Sequence, residues 1–158
     1  MVQIHSPRPI LLATSNLWNM RAPGTRPGGR WHTFTHRGTS FVPWIREGAL
    51  DIVQPDVTKV GGISEERKIA WMAEENGIRF IPHGWNTALG LAADLHLASA
   101  NRNTDLVEYL TGSPFIDDLV ESKWELDESG MLQVPNGPGL GIFLNLDAVE
   151  RHTGQRLA

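Results

Sequence analysis

Residues 54–85 read QPDVTKVGGISEERKIAWMAEENGIRFIPHGW. One apolar run ends just before this stretch, in LDIVQ, and a second, IRFIP, lies near its end. The first is a short apolar, β-branched run that reads as a buried strand, and the second reads as the next strand. Between them, Gly61 and Gly62 make a loop, and Ser64 is placed to cap a helix with Glu65 and Glu66 in its first turn, where the helix dipole favours acids. Ile69, Ala70, Met72 and Ala73 form the expected buried stripe, and Gly77 suits the left-handed position that ends the helix. The reading is strand, helix, strand, with Asp56 just past the first strand and His83 just past the second.

The same grammar extends outward. Upstream, SFVPWIREGA places Phe41, Trp44 and Ile45 on one helical face, with Gly48 as the stop. Downstream, Thr87 is placed to cap a helix whose Leu89, Ala92, Ala93, His96, Leu97 and Ala100 fall near one face, and DLVEYL reads as a third strand. The β-α-β-α-β order with short connections implies parallel pairing and right-handed crossovers. After Leu110 the pattern changes to short extended pieces and turns, followed by a final helix in LDAVERHTG. The fold class is therefore α/β. Residues 41–158 form one unit, and residues 1–40 are expected to be an irregular extension, non-native or disordered, in which only residues 10–13 suit a short strand.

Composition supports that division. The 158 residues carry a net charge of −4, yet residues 1–46 hold six arginines and no Asp or Glu, while the remainder holds all eighteen acids. The two parts thus carry +6 and −10. A basic arm of this kind can mark nucleic-acid binding, but there is no recognisable binding fold or interleaved lysine, and no nucleic-acid partner is expected. There is no cysteine, which excludes disulfides and thiol chemistry, and no apolar run of the roughly 20 residues that would cross a bilayer. A cytoplasmic location and no membrane partner are the expectations.

Asp56, His83 and Glu108 are 27 and 25 residues apart, about one βα unit each time. They recur at the carboxyl ends of successive parallel strands, the edge at which α/β folds gather ligands. Neighbouring strands lie about 4.8 Å apart, so side chains in phase can touch. A carboxylate on one imidazole nitrogen fixes the tautomer and raises the basicity of the other, which makes His83 a candidate proton carrier oriented by Asp56. Glu108 is placed to hydrogen-bond a substrate. Taken singly, Asp56 also suits a loop cap and His83 a structural histidine, whereas a carboxylate in an apolar strand calls for a partner. Trp85 and Asn86 are placed either to line a substrate pocket or simply to pack. His32 and His36 have a ligand-like spacing, but RWHTFTHRG does not read as a helix. His96 reads as a core residue, and Lys59 as a lysine that either faces the site or is solvated.

The segments DIVQPDVTKVGGISE, IPHGWNTALGLAADLHLASA, VEYL and VPNGPGLGIFLN resemble the C-terminal part of the enolase superfamily, in its mandelate racemase and muconate lactonizing enzyme subgroup, from about residue 41 to residue 154. The resemblance implies the last strands of a TIM-type (β/α)7β barrel, with Asp56 ending strand six, His83 strand seven and Glu108 strand eight. It implies an acid-sugar dehydratase, or a racemase or epimerase, acting on the proton α to a carboxylate of a sugar acid with Mg2+. The family's metal carboxylates sit on earlier strands and match no residue here. GGRWHTFTHRG, where the last ligand would fall, has no acid. This chain alone is accordingly expected to be inactive, or a non-catalytic fragment that self-associates or forms homo-oligomers through open barrel edges. The acid-free start is read as sequence of different origin joined to the barrel segment.

Overall fold

The computed structural model describes residues 38–110 and 112–156, together with the backbone of two short strands nearer the start. Most of residues 1–40, and with them most of the expected irregular extension and His36, lie outside the described residues. The strands are β1 (Leu11–Leu12), β2 (Trp31–His32), β3 (Ile52–Val53), β4 (Arg79–Phe80) and β5 (Leu106–Val107). β1 lies within the run that suits a short strand. The helices are α1 (Val42–Arg46), preceded by a 3-10 turn over Gly38–Phe41, α2 (Val57–Val60), α3 (Ile63–Glu75), α4 (Ala88–Ala100), α5 (Pro114–Asp117) and α6 (Leu146–Thr153). No helix among the described residues is long and apolar enough to cross a membrane.

All strand pairing is parallel. β2, β3 and β4 form one sheet in that order, and β1 pairs with β5. The two sheets meet between β4 and β5, where Phe80 N donates to Asn103 O at 3.2 Å and Glu108 N to Pro82 O at 3.4 Å. Val53 faces Phe80 and Ile52 faces Arg79 in the register, so the 27-residue spacing seen in the sequence is the pairing offset itself.

Strand side chains alternate between faces. Val53 and Phe80 point outward into a cluster with Ile69, Ala70 and Ala73 of α3, Ile45 of α1 and Phe41 at its start. Ile52, Ile81 and Leu106 form a separate cluster on the other face. Continuing that alternation, Asp56, His83 and Glu108 belong to the second face. The outer cluster supplies the main stabilisation: a buried Phe or Ile contributes roughly 1.5–3 kcal/mol.

Four local expectations change. Trp44 is 46% exposed although Phe41 and Ile45 beside it are buried, because a five-residue helix presents only one turn to α3. The cap of α3 is Gly62, not Ser64: the left-handed φ of 112° at Gly61 and 85° at Gly62 starts the helix early. Glu66, expected in the first turn as a charge favoured by the helix dipole, is fully buried. In α4 the single-face reading fails. Leu97 joins the α3 cluster, Leu91, Leu95 and Ala98 pack with Val107 of β5, and Ala88 packs with Val120 and Ala148, while Leu89 and Ala100 are exposed. A helix enclosed by three neighbours is buried around most of its circumference, so its apolar residues show no one stripe.

After β5 the chain forms α5 and a loop region tied by antiparallel bridges Val120↔Leu144 and Leu126↔Leu132. Asn145 caps α6 by accepting from Ala148 N, and Gly154 ends it with φ 67°.

Candidate active site

The β3–β4 ladder runs on past both strands. Ile81 N donates to Val53 O at 3.0 Å and His83 N to Pro55 O at 2.9 Å. These bonds carry Asp56 and His83, each three residues beyond a paired position, to the same level. His83 Nδ1 lies 3.1 Å from Asp56 Oδ2, and His83 Nε2 lies 3.9 Å from Glu108 Oε2. The structure therefore brings together all three ionisable residues singled out by spacing. With Nδ1 carrying the proton and donating to Asp56, Nε2 presents its lone pair on the Glu108 side.

Asp56 is 2% exposed and its carboxylate is filled. As N-cap of α2 it accepts from Thr58 N at 2.9 Å on Oδ1, and Thr58 Oγ1 donates to the same oxygen. Oδ2 faces both His83 Nδ1 and Lys59 Nζ. Burial alone pushes the Asp56 carboxyl up, but hydrogen bonds from His83, then Lys59, then Thr58 outweigh it and hold the group well below the usual carboxylate range. Asp56 stays ionised, as an orienting group must.

Glu108 is held from the other side. Its Oε2 accepts from Gly84 N at 2.9 Å. Gly84 also lies so close to the backbone of Glu108 that a Cβ there would sit 1.8 Å from the Glu108 carbonyl oxygen. Only glycine fits that approach. Ionisable-residue spacing does not single out Gly84; the available signal is its place directly after the histidine at a strand end.

Asn86 is half-buried. Its Nδ2 donates to His83 O at 3.3 Å and lies 3.5 Å from Asp94 Oδ2, and it fills space left by Gly90, where a Cβ would come within 2.4 Å of its side chain. It supports the histidine loop from behind. Trp85, by contrast, is 70% exposed. His96 is tied to the tail, its Nε2 lying 3.2 Å from Leu140 O, and His152 stacks at a tilt on Phe115 at the surface.

Behind the dyad lies a second pair of acids that spacing does not suggest, Glu66 of α3 and Asp94 of α4, both fully buried. Neither Glu66 carboxyl oxygen has a hydrogen-bond partner among the described residues, nor has Asp94 Oδ1. Burial, then repulsion from Asp94 and from Asp56, pushes Glu66 far up. Burial likewise pushes Asp94 up, against the hydrogen bond from Asn86. Both are held as neutral acids at neutral pH. A signal for Asp94 is present in the sequence, as the one charged residue in ALGLAADLHLASA. Glu66 is masked by its place beside Glu65, since dipole complementarity explains either acid.

The described residues contain no group of three or more His, Asp or Glu side chains that could hold a metal ion, and residues 1–46 contain no Asp or Glu at all. The donor set for Mg2+ is therefore not met by this chain.

Residues 35–148 match the enolase C-terminal domain-like family, and the chain belongs to it. It is 39% identical over 105 residues to D-xylonate dehydratase of Haloferax volcanii, an alignment covering 66% of this chain and 25% of that protein. Its structure superposes on that of a mandelate racemase/muconate lactonizing enzyme from Jannaschia sp. CCS1 with TM-score 0.69 at 31% identity, over 81% of this chain and 32% of that one. It also superposes on an enolase from Pantoea ananatis with bound D-gluconate and magnesium, with TM-score 0.63 at 27% identity, over 72% and 28%. The chain spans about a quarter to a third of the length of the relatives it matches.

Proposed function

We propose that this chain is the proton-transfer segment of an acid-sugar dehydratase-like enzyme, with β3, β4 and β5 as the last three strands of a TIM-type barrel. The observation that carries this reading is the 3.1 Å contact between Asp56 Oδ2 and His83 Nδ1 at the carboxyl edge of adjacent parallel strands. In this role Asp56 fixes the ring and its tautomer. His83 Nε2 takes the proton from the carbon next to a substrate carboxylate, or returns it. Glu108, steadied by Gly84 N, offers a polar contact to substrate beside that nitrogen. Loss of water from the neighbouring carbon would make the reaction a dehydration, and return of the proton to the other face would make it a racemisation or epimerisation. The relative named as a D-xylonate dehydratase and the structure holding D-gluconate favour a sugar acid as substrate and dehydration as the outcome.

The resemblance implies Mg2+, whose charge stabilises the enolate in such chemistry. The donor set here does not fit it, and no step through a metal is assigned to this chain. The chain alone is accordingly proposed to turn over little or no substrate, and to associate with itself or with other barrel segments. The exposed Phe115, Phe143 and Leu146 favour such association.

Histidine 15N NMR tests the dyad directly. The expected result is His83 in the Nδ1–H tautomer in the wild-type chain and a changed tautomer balance in Asp56→Asn. An Nε2–H tautomer that ignores the substitution would refute the assignment. Incubation of the purified chain with a sugar-acid library and Mg2+ is expected to yield no dehydrated product, and turnover above background would overturn the claim of inactivity. On size-exclusion chromatography the chain is expected to elute as more than one copy. Elution as a monomer across micromolar concentrations would remove the self-association reading.

A further inference from the structure

Lys59 sits in the one-turn helix α2, between the Asp56 N-cap and the left-handed Gly61 C-cap. Its backbone N donates to Asp56 O at 2.9 Å, and its ammonium folds back onto Asp56 Oδ2. That oxygen is the one facing His83 Nδ1, while Oδ1 is taken by Thr58. The lysine side chain is 41% exposed, yet it ends on a carboxylate that is 2% exposed. A flexible, half-exposed lysine at a surface turn ordinarily points to water, and its pairing with a surface acid contributes little. Here its partner is buried, and that partner is the orienting member of the dyad.

We propose that Lys59 is a positioning residue of the dyad: by sharing Oδ2 with the imidazole, its ammonium sets how strongly Asp56 holds His83. The charged and titratable groups facing Asp56 are His83 from the loop after β4, Lys59 from α2, Glu66 from α3 and Asp94 from α4. Glu108 faces the far side of His83. With both carboxylic acids behind it neutral, Asp56 carries its charge against two possible cations, and the lysine holds part of that charge away from the ring. Removing the lysine leaves Asp56 Oδ2 to the imidazole, with Thr58 still on Oδ1. This inference rests on the dyad reading above, which fails separately if Asp56→Asn leaves the His83 tautomer unchanged.

The test is the acid titration of the Asp56 carboxyl carbon by NMR in the full 158-residue chain, comparing wild type, Lys59→Met and Lys59→Arg. An opposite charge in contact shifts a carboxyl by about one unit or more. The midpoint in Lys59→Met is therefore expected to rise by about one unit, and Lys59→Arg to stay within roughly 0.3 units of wild type. Should wild-type Asp56 remain ionised down to its acid unfolding limit, the expected result is titration above that limit in Lys59→Met only. The proposal is overturned if wild type and Lys59→Met titrate together, if both stay ionised to the unfolding limit, or if Lys59→Arg rises as far as Lys59→Met.

Discussion

Asp56 and the Glu66–Asp94 pair are buried carboxyls near enough to feel one another's charge, and they are treated in opposite ways. Asp56 receives a backbone N–H, a hydroxyl, an ammonium and an imidazole, and is held as an anion. Glu66 receives no hydrogen bond among the described residues, and Asp94 only a long one from Asn86. These two are held as neutral acids. The difference lies in position along the chain. Asp56 stands at a strand end, where a following helix turn offers free N–H groups and the next strand brings a side chain alongside. Glu66 and Asp94 lie on helices that bury their side chains in the packing, where the described residues offer no donor to Glu66 and only Asn86 to Asp94. Buried polar groups without partners are costly to stability, so the pair carries a folding penalty, while the hydrogen bonds to Asp56 offset the cost of its burial.

The contrast can be broken most severely at Gly84. A methyl group there would meet the Glu108 carbonyl oxygen at 1.8 Å. Gly84→Ala is expected to destabilise the chain by about 3 kcal/mol in urea unfolding. A loss under about 1 kcal/mol would mean that β4 and β5 can separate freely at the site. Next is Asp56→Asn, which keeps one acceptor oxygen but removes the charge and the other, and should cost about 2 kcal/mol at neutral pH. Because the folded Asp56 titrates below its unfolded value, its contribution is present above the ordinary aspartate range near 3.8 and is lost as pH falls below it. Asp56→Asn should flatten that acid limb, and acid unfolding curves that remain parallel would refute the assignment.

Glu66→Gln sharpens the comparison through the opposite sign. Glu66 titrates above its unfolded value, so its contribution is full below the ordinary glutamate range and is lost as pH rises from about 4.5 toward the raised value. The variant carries no such loss. Its stability relative to wild type should grow between pH 5 and 8, by no more than about 1.4 kcal/mol per pH unit, the limit for one proton. A difference from wild type that stays constant between pH 5 and 8 would show instead that Glu66 is already ionised in the folded chain. The smallest effect is expected at Trp85, which is 70% exposed. Trp85→Ala should change stability by under about 0.5 kcal/mol, and a larger loss would assign the ring a packing role.

The dyad is legible in the sequence because a parallel ladder converts spacing along the chain into contact. Ile52 faces Arg79 and Val53 faces Phe80 at an offset of 27, and Asp56 and His83 have that same offset. The alternation of strand side chains then places Ile52, Ile81 and Leu106 on the same face as the three ionisable residues. Spacing carries no information on how helices pack around those strands. Glu66 reads as an acid placed by the helix dipole until packing buries it, and the apolar face of α4 cannot be chosen from its sequence when three clusters claim it. Lys59 reads first as a solvated lysine, with facing the site as the alternative, until α2 turns its side chain back onto Asp56.

Local chemistry and periodicity in the chain are thus enough to specify the βα order, the parallel pairing and the residues brought to the strand ends, since each depends on neighbours a fixed number of residues away. The ionisation of those residues, the burial of Glu66 with Asp94 and the choice of Gly84 depend on atoms that come close through packing of separate elements. Desolvation and steric overlap act over a few ångströms in space, with no fixed separation along the chain.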